Sequence, residues 1–280
     1  MTNFLKISLL TLIATITFNS CKSDIKVKVQ EQEVKRKTLE MVTNYGTMVI
    51  ELYDETPLHR DNFINLANNK AYDSLLFHRV IDSFMIQAGD PDSKGAKATD
   101  TIGSGDAPYS VAAEFDINLF HKKGTLAAAR DNNPAKASSA MQFYIVKGKV
   151  HNDSLLNLAE VYTNENMAMD YFKKKGQQKD LLDSIQKTMF SGKRERYKTL
   201  RDSALQLAKA NPDFKSYIMP NGHKEVYKSI GGYPRLDQNY TVFGEVIEGL
   251  DIIDSISKVK TGAFNRPIEA VRIETIRIVN

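Results

Sequence analysis

Arg79 is the side chain of this sequence that is best suited to act as a fixed cationic donor. It lies in an apolar and aromatic segment, Phe77-His78-Arg79-Val80-Ile81, which continues after a short break as Phe84-Met85-Ile86-Gln87. A guanidinium group is always charged and holds its N–H donors in a rigid fork, so it can serve a binding site or form an ion pair with a carboxylate. The local sequence leaves these two interpretations open.

Several other kinds of chemistry are not favoured by the sequence. The five histidines have no close ligand spacing, so we expect no metal site. The segment Gly103-Ser104-Gly105 has no strand before it, no helix after it and no Gly-Lys-Ser ending, so it is not a phosphate-binding loop. The net charge of +4 is modest and is not gathered in a dense basic cluster with stacking groups, so we expect no nucleic-acid partner.

The N-terminal segment has the pattern of an export signal. Lys6 precedes an apolar run over 7–18, which is shorter than the roughly 20 apolar residues of a membrane span. The run ends at Asn19-Ser20-Cys21, which resembles the lipobox of bacterial lipoproteins, and Cys21 is the only cysteine. The other interpretation is an ordinary cleaved signal with an incidental cysteine. We expect a signal peptide over 1–20, a lipid on Cys21 and a polar tether over 21–39.

Short strands and two short helices predict a mainly β fold. Thr56 and Pro57 suit the N-cap and first turn of a helix that ends near Asn68, and a second helix follows Gly249 over 250–257. Alternating or apolar segments predict strands near 41–43, 48–53, 76–81, 84–87, 124–129, 141–146, 240–246 and 271–278. These elements favour a closed antiparallel barrel capped by the two helices.

Residues 149–229 differ in character from the rest of the chain. They are charged and helical in pattern, with 15 lysines and arginines against 10 acidic residues. We therefore divide the folded chain into a β domain over 40–148 and 230–280 and a charged helical insertion over 149–229. The insertion is either a helical decoration packed on the β domain or an arm that docks an unknown protein. Since loop insertions are well tolerated, we expect a chain without residues 150–228 to remain folded and active.

Four blocks of the sequence resemble the motifs of the cyclophilins, a family of peptidyl-prolyl cis/trans isomerases, and they occur in the same order. The first block, Phe77 to Asp90, resembles that family's signature over fourteen residues and is highly specific. The other blocks are 124–130, 139–145 and 236–246. The resemblance covers about 41–148 and 230–280. It implies an eight-stranded barrel closed by two helices, a substrate groove on its face, and isomerisation of X-Pro bonds without a cofactor.

The resemblance also implies roles for individual residues. Arg79 matches the family's catalytic arginine, a fixed donor for the amide nitrogen that gains a lone pair when the X-Pro bond is twisted. Gln87 matches a glutamine that hydrogen-bonds the substrate backbone. The remaining matches are to residues of the proline pocket and the groove: Phe84, Met85, Ala129, Gln142, Tyr144, Leu236 and Tyr240.

Four positions along the groove depart from the family pattern. Arg130 replaces a common asparagine, Tyr144 a phenylalanine, and Tyr240 a histidine that many members have. Arg235 stands where some members carry the tryptophan that binds the cyclic peptide cyclosporin, and this chain has no tryptophan. All four lie at the edge or wall of the expected groove, so we expect them to change specificity more than the reaction.

The sequence therefore predicts a peptidyl-prolyl isomerase that is anchored in the bacterial cell envelope by a lipid on Cys21 and acts on proline-containing, exported polypeptides. The alternative is a module that binds proline peptides, or acts as a chaperone, with little turnover. The presence of Arg79, Phe84, Met85 and Gln87 favours the enzyme.

Overall fold

The computed structural model describes residues 36–176 and 178–280, which contain ten β-strands and six α-helices. The strands are β1 (Thr38–Thr43), β2 (Gly46–Leu52), β3 (Arg79–Ile81), β4 (Met85–Ala88), β5 (Ser110–Val111), β6 (Thr125–Ala128), β7 (Ser138–Ser139), β8 (Phe143–Val146), β9 (Val242–Glu248) and β10 (Ile273–Ile278). The helices are α1 (Pro57–Asn68), α2 (Asp153–Lys175), α3 (Lys179–Met189), α4 (Arg194–Ala210), α5 (Asn221–Ser229) and α6 (Leu250–Ser257). Helices α2 to α5 belong to the insertion.

Eight strands form one antiparallel sheet, in the order β10-β1-β2-β9-β6-β8-β4-β3, and β5 pairs with β7 in a separate ribbon. The edge strands β3 and β10 do not form a ladder with each other, so the predicted closed barrel is wrong and the sheet is an open half-barrel. The reason is the shortness of β3. The chain before β3 meets only the start of β10. A bridge joins Leu76 to Arg272, and three backbone hydrogen bonds of 2.8 to 2.9 Å connect residues 74–77 with residues 271–273.

Helices α1 and α6 cover the inner face of the half-barrel and complete its apolar core. Phe63 of α1 and Ile253 and Ile256 of α6 are fully or almost fully buried in this core. Helix α1 begins at Pro57, as the sequence predicted, but the Thr56 side chain does not cap it. Among the described residues the buried Thr56 hydroxyl has no hydrogen-bond partner. The first turn is capped instead by Glu114, whose two carboxylate oxygens accept hydrogen bonds from the N–H groups of Leu58 and His59 at 3.0 Å each, and burial of the apolar stripe adds to this cap.

The helices of the insertion pack on one another and on the β domain. Helix α2 begins after Asn152, whose side chain accepts a hydrogen bond from the N–H of Leu155 at 2.9 Å. One apolar cluster joins α2 to α3 and α4, and a second joins α2 and α5 to Phe120 of the β domain. Lys149 and Gly232 exchange two backbone hydrogen bonds of 3.0 and 3.1 Å, so the insertion leaves and re-enters the β domain at one point.

The N-terminal predictions concern a part of the chain that the structure does not describe. The predicted signal peptide, Cys21 and most of the predicted tether lie outside the described residues. Strand β1 begins at Thr38, which falls inside the predicted tether of 21–39. In the described ranges, no helix is both long enough and apolar enough to cross a membrane.

Candidate active site

Four strands of the half-barrel bury side chains on both of their faces. In β8, Phe143 and Ile145 point into the main core, whereas Tyr144 and Val146 belong to a second apolar cluster on the other face. The same alternation places Met85 of β4 in the second cluster and Ile86 in the core. The outer face of the sheet therefore carries an apolar site of its own.

The cross-strand register aligns the predicted catalytic residue with this outer site. Arg79 of β3 is paired with Gln87 of β4, Gln87 with Tyr144 of β8, and Tyr144 with Ala127 of β6. Residues that are directly opposite each other in antiparallel strands present their side chains on the same face. Arg79, Gln87 and Tyr144 thus form a row across the sheet, an arrangement that the sequence analysis did not specify.

Hydrogen bonds hold the Arg79 guanidinium in position. Its Nη1 donates to Oε1 of Gln87 at 3.2 Å, and Nε2 of Gln87 donates to Oε1 of Gln142 at 3.1 Å. Gln142 in turn donates to the carbonyls of Gly105 at 2.7 Å and Gly103 at 3.2 Å. The two amides therefore connect the half-buried arginine to the 103–105 backbone by a continuous chain of hydrogen bonds.

The ion-pair interpretation of Arg79 finds no partner. None of the salt bridges among residues 36–176 and 178–280 involves Arg79. Its guanidinium carbon instead lies 5.8 Å from the centroid of the Phe84 ring, at the edge of the apolar cluster. The remaining N–H donors of Arg79 are available to a group placed beside that ring.

The predicted pocket residues are brought together. Met85 and Tyr144 are buried in the outer cluster, and the half-buried members that pack against them include Phe84, Ala129, Leu236 and Tyr240. The Tyr144 and Tyr240 rings meet edge to face, with centroids 6.0 Å apart. Phe84 also contacts Tyr233, whose ring centroid is 4.3 Å away. The result is an apolar, partly aromatic cluster of the kind that suits contact with a proline ring.

A buried polar network that the sequence did not predict supports Tyr144, a buried member of this outer cluster. The Tyr144 hydroxyl lies 3.0 Å from Nε2 of His121, and Nδ1 of His121 lies 2.8 Å from Oδ1 of Asp237. The Tyr227 hydroxyl, from α5 of the insertion, donates to both Asp237 oxygens at 2.8 and 3.0 Å. Because Nδ1–H of His121 donates to Asp237, Nε2 is left to accept from Tyr144.

Burial strengthens the donor role of these tyrosines. It raises the pKa of Tyr144 and that of Tyr227 well above the ordinary value, because desolvation disfavours the phenolate. Both hydroxyls therefore keep their protons and donate. Tyr144 replaces a phenylalanine of the family pattern, and the network shows how its extra hydroxyl is satisfied within the fold. Of the residues of this network other than Tyr144, only Asp237 lies in one of the four motif blocks, directly after Leu236. No motif includes His121 or Tyr227.

Two of the four departures from the family pattern are fixed by neighbouring groups at the groove edge. Arg130 donates to the backbone carbonyl of Asn239 at 3.0 Å and lies 4.7 Å above the Tyr240 ring. Arg235 is exposed and lies 4.3 Å above the ring of Tyr162, which belongs to α2 of the insertion. The position that carries tryptophan in some cyclophilins is therefore engaged by the insertion.

His78 lies beside Arg79 in sequence but does not share its environment. It is buried, and its Nδ1 has no hydrogen-bond partner among the described residues. Burial lowers the pKa of His78 to about 4, with a smaller lowering from the nearby Arg79 charge. The structure describes no cluster of three or more His, Cys, Asp or Glu side chains that could hold a metal ion.

An apolar cluster with a guanidinium and two amides at its edge, on the outer face of an antiparallel half-barrel, is the arrangement expected for the peptidyl-prolyl isomerase class that the sequence motifs indicate. Comparisons with known proteins lead to the same class.

The family model described as cyclophilin type peptidyl-prolyl cis-trans isomerase/CLD matches residues 38–201 and 172–278. A Staphylococcus haemolyticus protein, provisionally named a peptidyl-prolyl cis-trans isomerase, is 30% identical over 252 residues, or 90% of this chain and 94% of the relative. A Staphylococcus aureus relative with the same provisional name is 28% identical over the same shares. The chain thus belongs to the cyclophilin-type family and is a peptidyl-prolyl cis-trans isomerase. Because 252 aligned residues exceed the β domain, the similarity to these relatives extends into the insertion.

A solved structure shares the fold. The crystal structure of a Cryptosporidium parvum cyclophilin type peptidyl-prolyl cis-trans isomerase superimposes with a TM-score of 0.52 at 17% identity. The superposition covers 88% of this chain and 98% of that structure. The chain therefore has a mainly β, cyclophilin-like fold with an eight-stranded antiparallel half-barrel and several helices.

Proposed function

We propose that this isomerase accelerates the rotation of X-Pro bonds in exported polypeptides, with Arg79 as the residue that stabilises the twisted amide. The observation that carries the proposal is the position of Arg79. Its guanidinium donates a hydrogen bond to Gln87 at 3.2 Å and lies beside Phe84 at the edge of the outer apolar cluster. It has no carboxylate partner among the described residues.

The chemistry of the reaction requires little more than such a donor. Rotation about an X-Pro bond must break amide resonance, which costs roughly 20 kcal/mol, but no covalent bond is made or broken. In the twisted state the proline nitrogen gains a lone pair that it lacks in the planar ground state. A fixed N–H donor beside that nitrogen stabilises the transition state selectively. No cofactor is needed for this step.

The residues of the outer cluster would hold the substrate against the donor. Met85, Tyr144 and Leu236 would surround the proline ring, and Phe84 would separate the ring from solvent. Gln87 would present the second N–H of its amide to the substrate backbone, and Gln142, whose N–H groups donate to the Gly103 and Gly105 carbonyls, would hold Gln87 in place. Fixing the proline ring while one side of the amide remains free lowers the entropic cost of reaching the twisted state.

Replacement of Arg79 tests this mechanism directly. Loss of one fixed donor to a developing lone pair costs about 3–4 kcal/mol, so Arg79→Ala should lower kcat/KM by about 10²- to 10³-fold. NMR exchange on a short proline peptide measures the rate, and circular dichroism checks the fold. Arg277→Ala is the matched control, because Arg277 is an exposed arginine of β10 that pairs with Glu40 away from the site.

The outcome also separates the enzyme from the binding module. A wild-type protein that binds the proline peptide without accelerating its exchange would favour the alternative, a peptide-binding or chaperone-like module. An Arg79→Ala variant with an unchanged rate and an intact fold would refute the role of the arginine. Arg79→Lys retains the charge but not the planar fork, so a rate between those of wild type and Arg79→Ala is expected.

The proposed location rests on the N-terminal sequence. The apolar run over 7–18 and the single cysteine at position 21 support export and lipid attachment in the cell envelope, where the isomerase would meet newly exported chains. Labelling with a fatty-acid analogue should mark the wild-type protein and not Cys21→Ser. Equal labelling of the two proteins would refute the lipid anchor.

A further inference from the structure

The insertion forms a second cleft beside the proposed proline groove. This cleft, which we call the side cleft, has a volume of about 1110 Å³ and lies between the 131–136 loop of the β domain and helix α2. Its wall on the α2 side includes Tyr162, Asp170, Lys173 and Lys174. Binding pockets of about 300–1000 Å³ hold drug-sized ligands, so the side cleft has room for several residues of a peptide.

Two contacts fix helix α2 as a wall of the side cleft. The ammonium of Lys136, in the loop, lies 2.6 Å from the carboxylate of Asp170 in α2. The guanidinium of Arg235 lies over the ring of Tyr162, also in α2, at 4.3 Å. The helix is therefore tied to the β domain on the loop side and at the groove edge. A wall that is held at two points is prepared to bind without first being ordered.

The side cleft adjoins the outer apolar cluster at Tyr240. Arg130 and Tyr240 line the side cleft, and Tyr240 also packs against the outer apolar cluster that contains Tyr144. A peptide whose proline occupies that cluster would therefore pass Tyr240 and reach α2 with its neighbouring residues.

The charge at the junction is not neutralised by a carboxylate. Arg130 donates to the backbone carbonyl and the side-chain oxygen of Asn239 at 3.0 and 2.9 Å, and to the carbonyl of Asp131 at 2.8 Å. All three acceptors are neutral, and no salt bridge of Arg130 occurs among the described residues. The guanidinium thus adds a positive charge where the two sites meet.

The rest of the side cleft has the same sign. Its lining contains four cationic side chains, Arg130, Lys136, Lys173 and Lys174, and two carboxylates, those of Asp131 and Asp170. Asp170 is paired with Lys136. Lys173 and Lys174 are exposed in the last turn of α2 and form no salt bridge within the described ranges. Lysines in the last turn of a helix interact favourably with the helix dipole. Because Lys173 and Lys174 also line the cleft, their ammonium groups face any peptide that binds there.

We propose that the side cleft is a second subsite that binds acidic residues flanking the target proline of the same polypeptide. The proposal rests on the proposed function, since it extends the groove of that isomerase. Acidic side chains fit the unpaired cations of Arg130, Lys173 and Lys174, and the tyrosine rings offer apolar contact to the intervening residues. The insertion then selects clients by the charge near their prolines.

Three peptides with one proline test the proposal. Each carries a three-residue flank of Glu, Gln or Lys, placed three to six residues before the proline in one series and after it in another. Fluorescence anisotropy measures the Kd, and NMR exchange measures kcat/KM. The Glu peptide should bind about five- to tenfold more tightly than the Gln peptide in one of the two series, because two or three partly exposed ion pairs form. The preference should shrink in about 0.5 M salt.

Charge variants assign the preference to the side cleft. In Lys173→Glu/Lys174→Glu the ratio of Glu-peptide to Gln-peptide affinity should fall to one or below, and in Lys173→Ser/Lys174→Ser it should fall partway. The control Lys193→Glu/Lys198→Glu changes the net charge equally at exposed lysines of the insertion that do not line the cleft, and should keep most of the preference.

Several results would overturn the proposal. A wild-type ratio of one in both series, tighter binding of the Lys peptide, or a preference that survives in Lys173→Glu/Lys174→Glu would each do so. The proposed function is judged separately by exchange on the Gln peptide. If that peptide binds but is not turned over while the Glu preference persists in anisotropy, the isomerase proposal fails and the side cleft stands.

Discussion

Removal of the Tyr227 hydroxyl tests whether the insertion supports the proline pocket through a buried carboxylate. Asp237 is 1% exposed, and its two oxygens accept hydrogen bonds from the Tyr227 hydroxyl at 2.8 and 3.0 Å. The backbone N–H and the ring of His121 complete its shell at 3.0 and 2.8 Å. Tyr227→Phe deletes one donor and leaves the shape of the ring unchanged, so the effect reports the hydrogen bond.

The expected loss follows from the burial of the carboxylate. A hydrogen bond to a charged group contributes about 1.5–3 kcal/mol, and a buried acceptor that loses it cannot turn to water. We therefore expect the free energy of unfolding to fall by about 1.5–3 kcal/mol in Tyr227→Phe. For a domain of this size that corresponds to a Tm lower by about 3–12 °C. Urea denaturation followed by circular dichroism gives the first quantity, and a thermal melt gives the second.

Tyr217→Phe is the matched control, because its hydroxyl points at the same carboxylate from a distance of 3.5 Å. A bond of that length is weak, so the loss should stay below about 1 kcal/mol. The double variant Tyr144→Phe/Tyr227→Phe should deviate from additivity by at least about 0.5 kcal/mol, since His121 and Asp237 link the two hydroxyls. Equal losses in Tyr227→Phe and Tyr217→Phe, or full additivity, would refute the reasoning.

Three further predictions follow from other parts of the structure. The pKa of His78 is lowered to about 4 in the folded state and is roughly 6.5 when unfolded, so the unfolded chain binds the extra proton and stability declines as pH falls from 6.5 to 4. His78→Phe should remove about 3 kcal/mol of that decline in urea denaturation at several pH values, and an unchanged pH slope would contradict it. Replacement of residues 150–228 by a short linker removes the hydrogen bond from Tyr227 to Asp237 and exposes Phe120. The truncated chain should therefore unfold at a lower urea concentration than Tyr227→Phe. Equal stability of the truncated chain and wild type would show that the insertion is only a decoration. Arg235→Trp should strengthen cyclosporin inhibition by about tenfold or more in the exchange assay, and nanomolar inhibition of the unmodified protein would contradict this view of the groove edge.

Local patterns predicted the elements that local forces decide. Helix α6 occupies the predicted 250–257, because Gly249 adopts a φ of +84° before it and the buried Ile253 and Ile256 lie one turn apart. The apolar segments 84–87 and 141–146 predicted strands β4 and β8. Such patterns depend on residues that are close in sequence, so one sequence is enough to see them.

Barrel closure could not be predicted in the same way. The apolar residues 76–81 predicted a six-residue strand, but β3 contains only Arg79–Ile81. Leu76 turns to the approach of β10 instead, as its bridge to Arg272 shows. Alternation specifies which face a residue occupies and not which strand lies beside it, so an open and a closed sheet have the same local signature.

The site shows the same division between local and long-range information. The motif match assigned Arg79, Gln87 and Tyr144 to one substrate site, and the strand register brings them into a row. The supports of that row were hidden, because His121 and Asp237 are 116 residues apart and meet only in the folded chain. Nor could the sequence show that α2 lies beside the groove. The two contacts that hold it there, Lys136 with Asp170 and Arg235 with Tyr162, join residues that are far apart in sequence.

The insertion touches the groove from two directions, and this gives the long helices a role that a decoration would not have. From α5, the Tyr227 hydroxyl donates to Asp237. Asp237 also hydrogen-bonds His121, whose other ring nitrogen accepts from the hydroxyl of Tyr144. From α2, Tyr162 meets Arg235 at the groove edge. A peptide in the side cleft would contact α2, which packs in one apolar cluster with Tyr227 of α5. Since packed cores resist small displacements, occupancy of the side cleft should change KM for proline peptides more than it changes the barrier that Arg79 lowers.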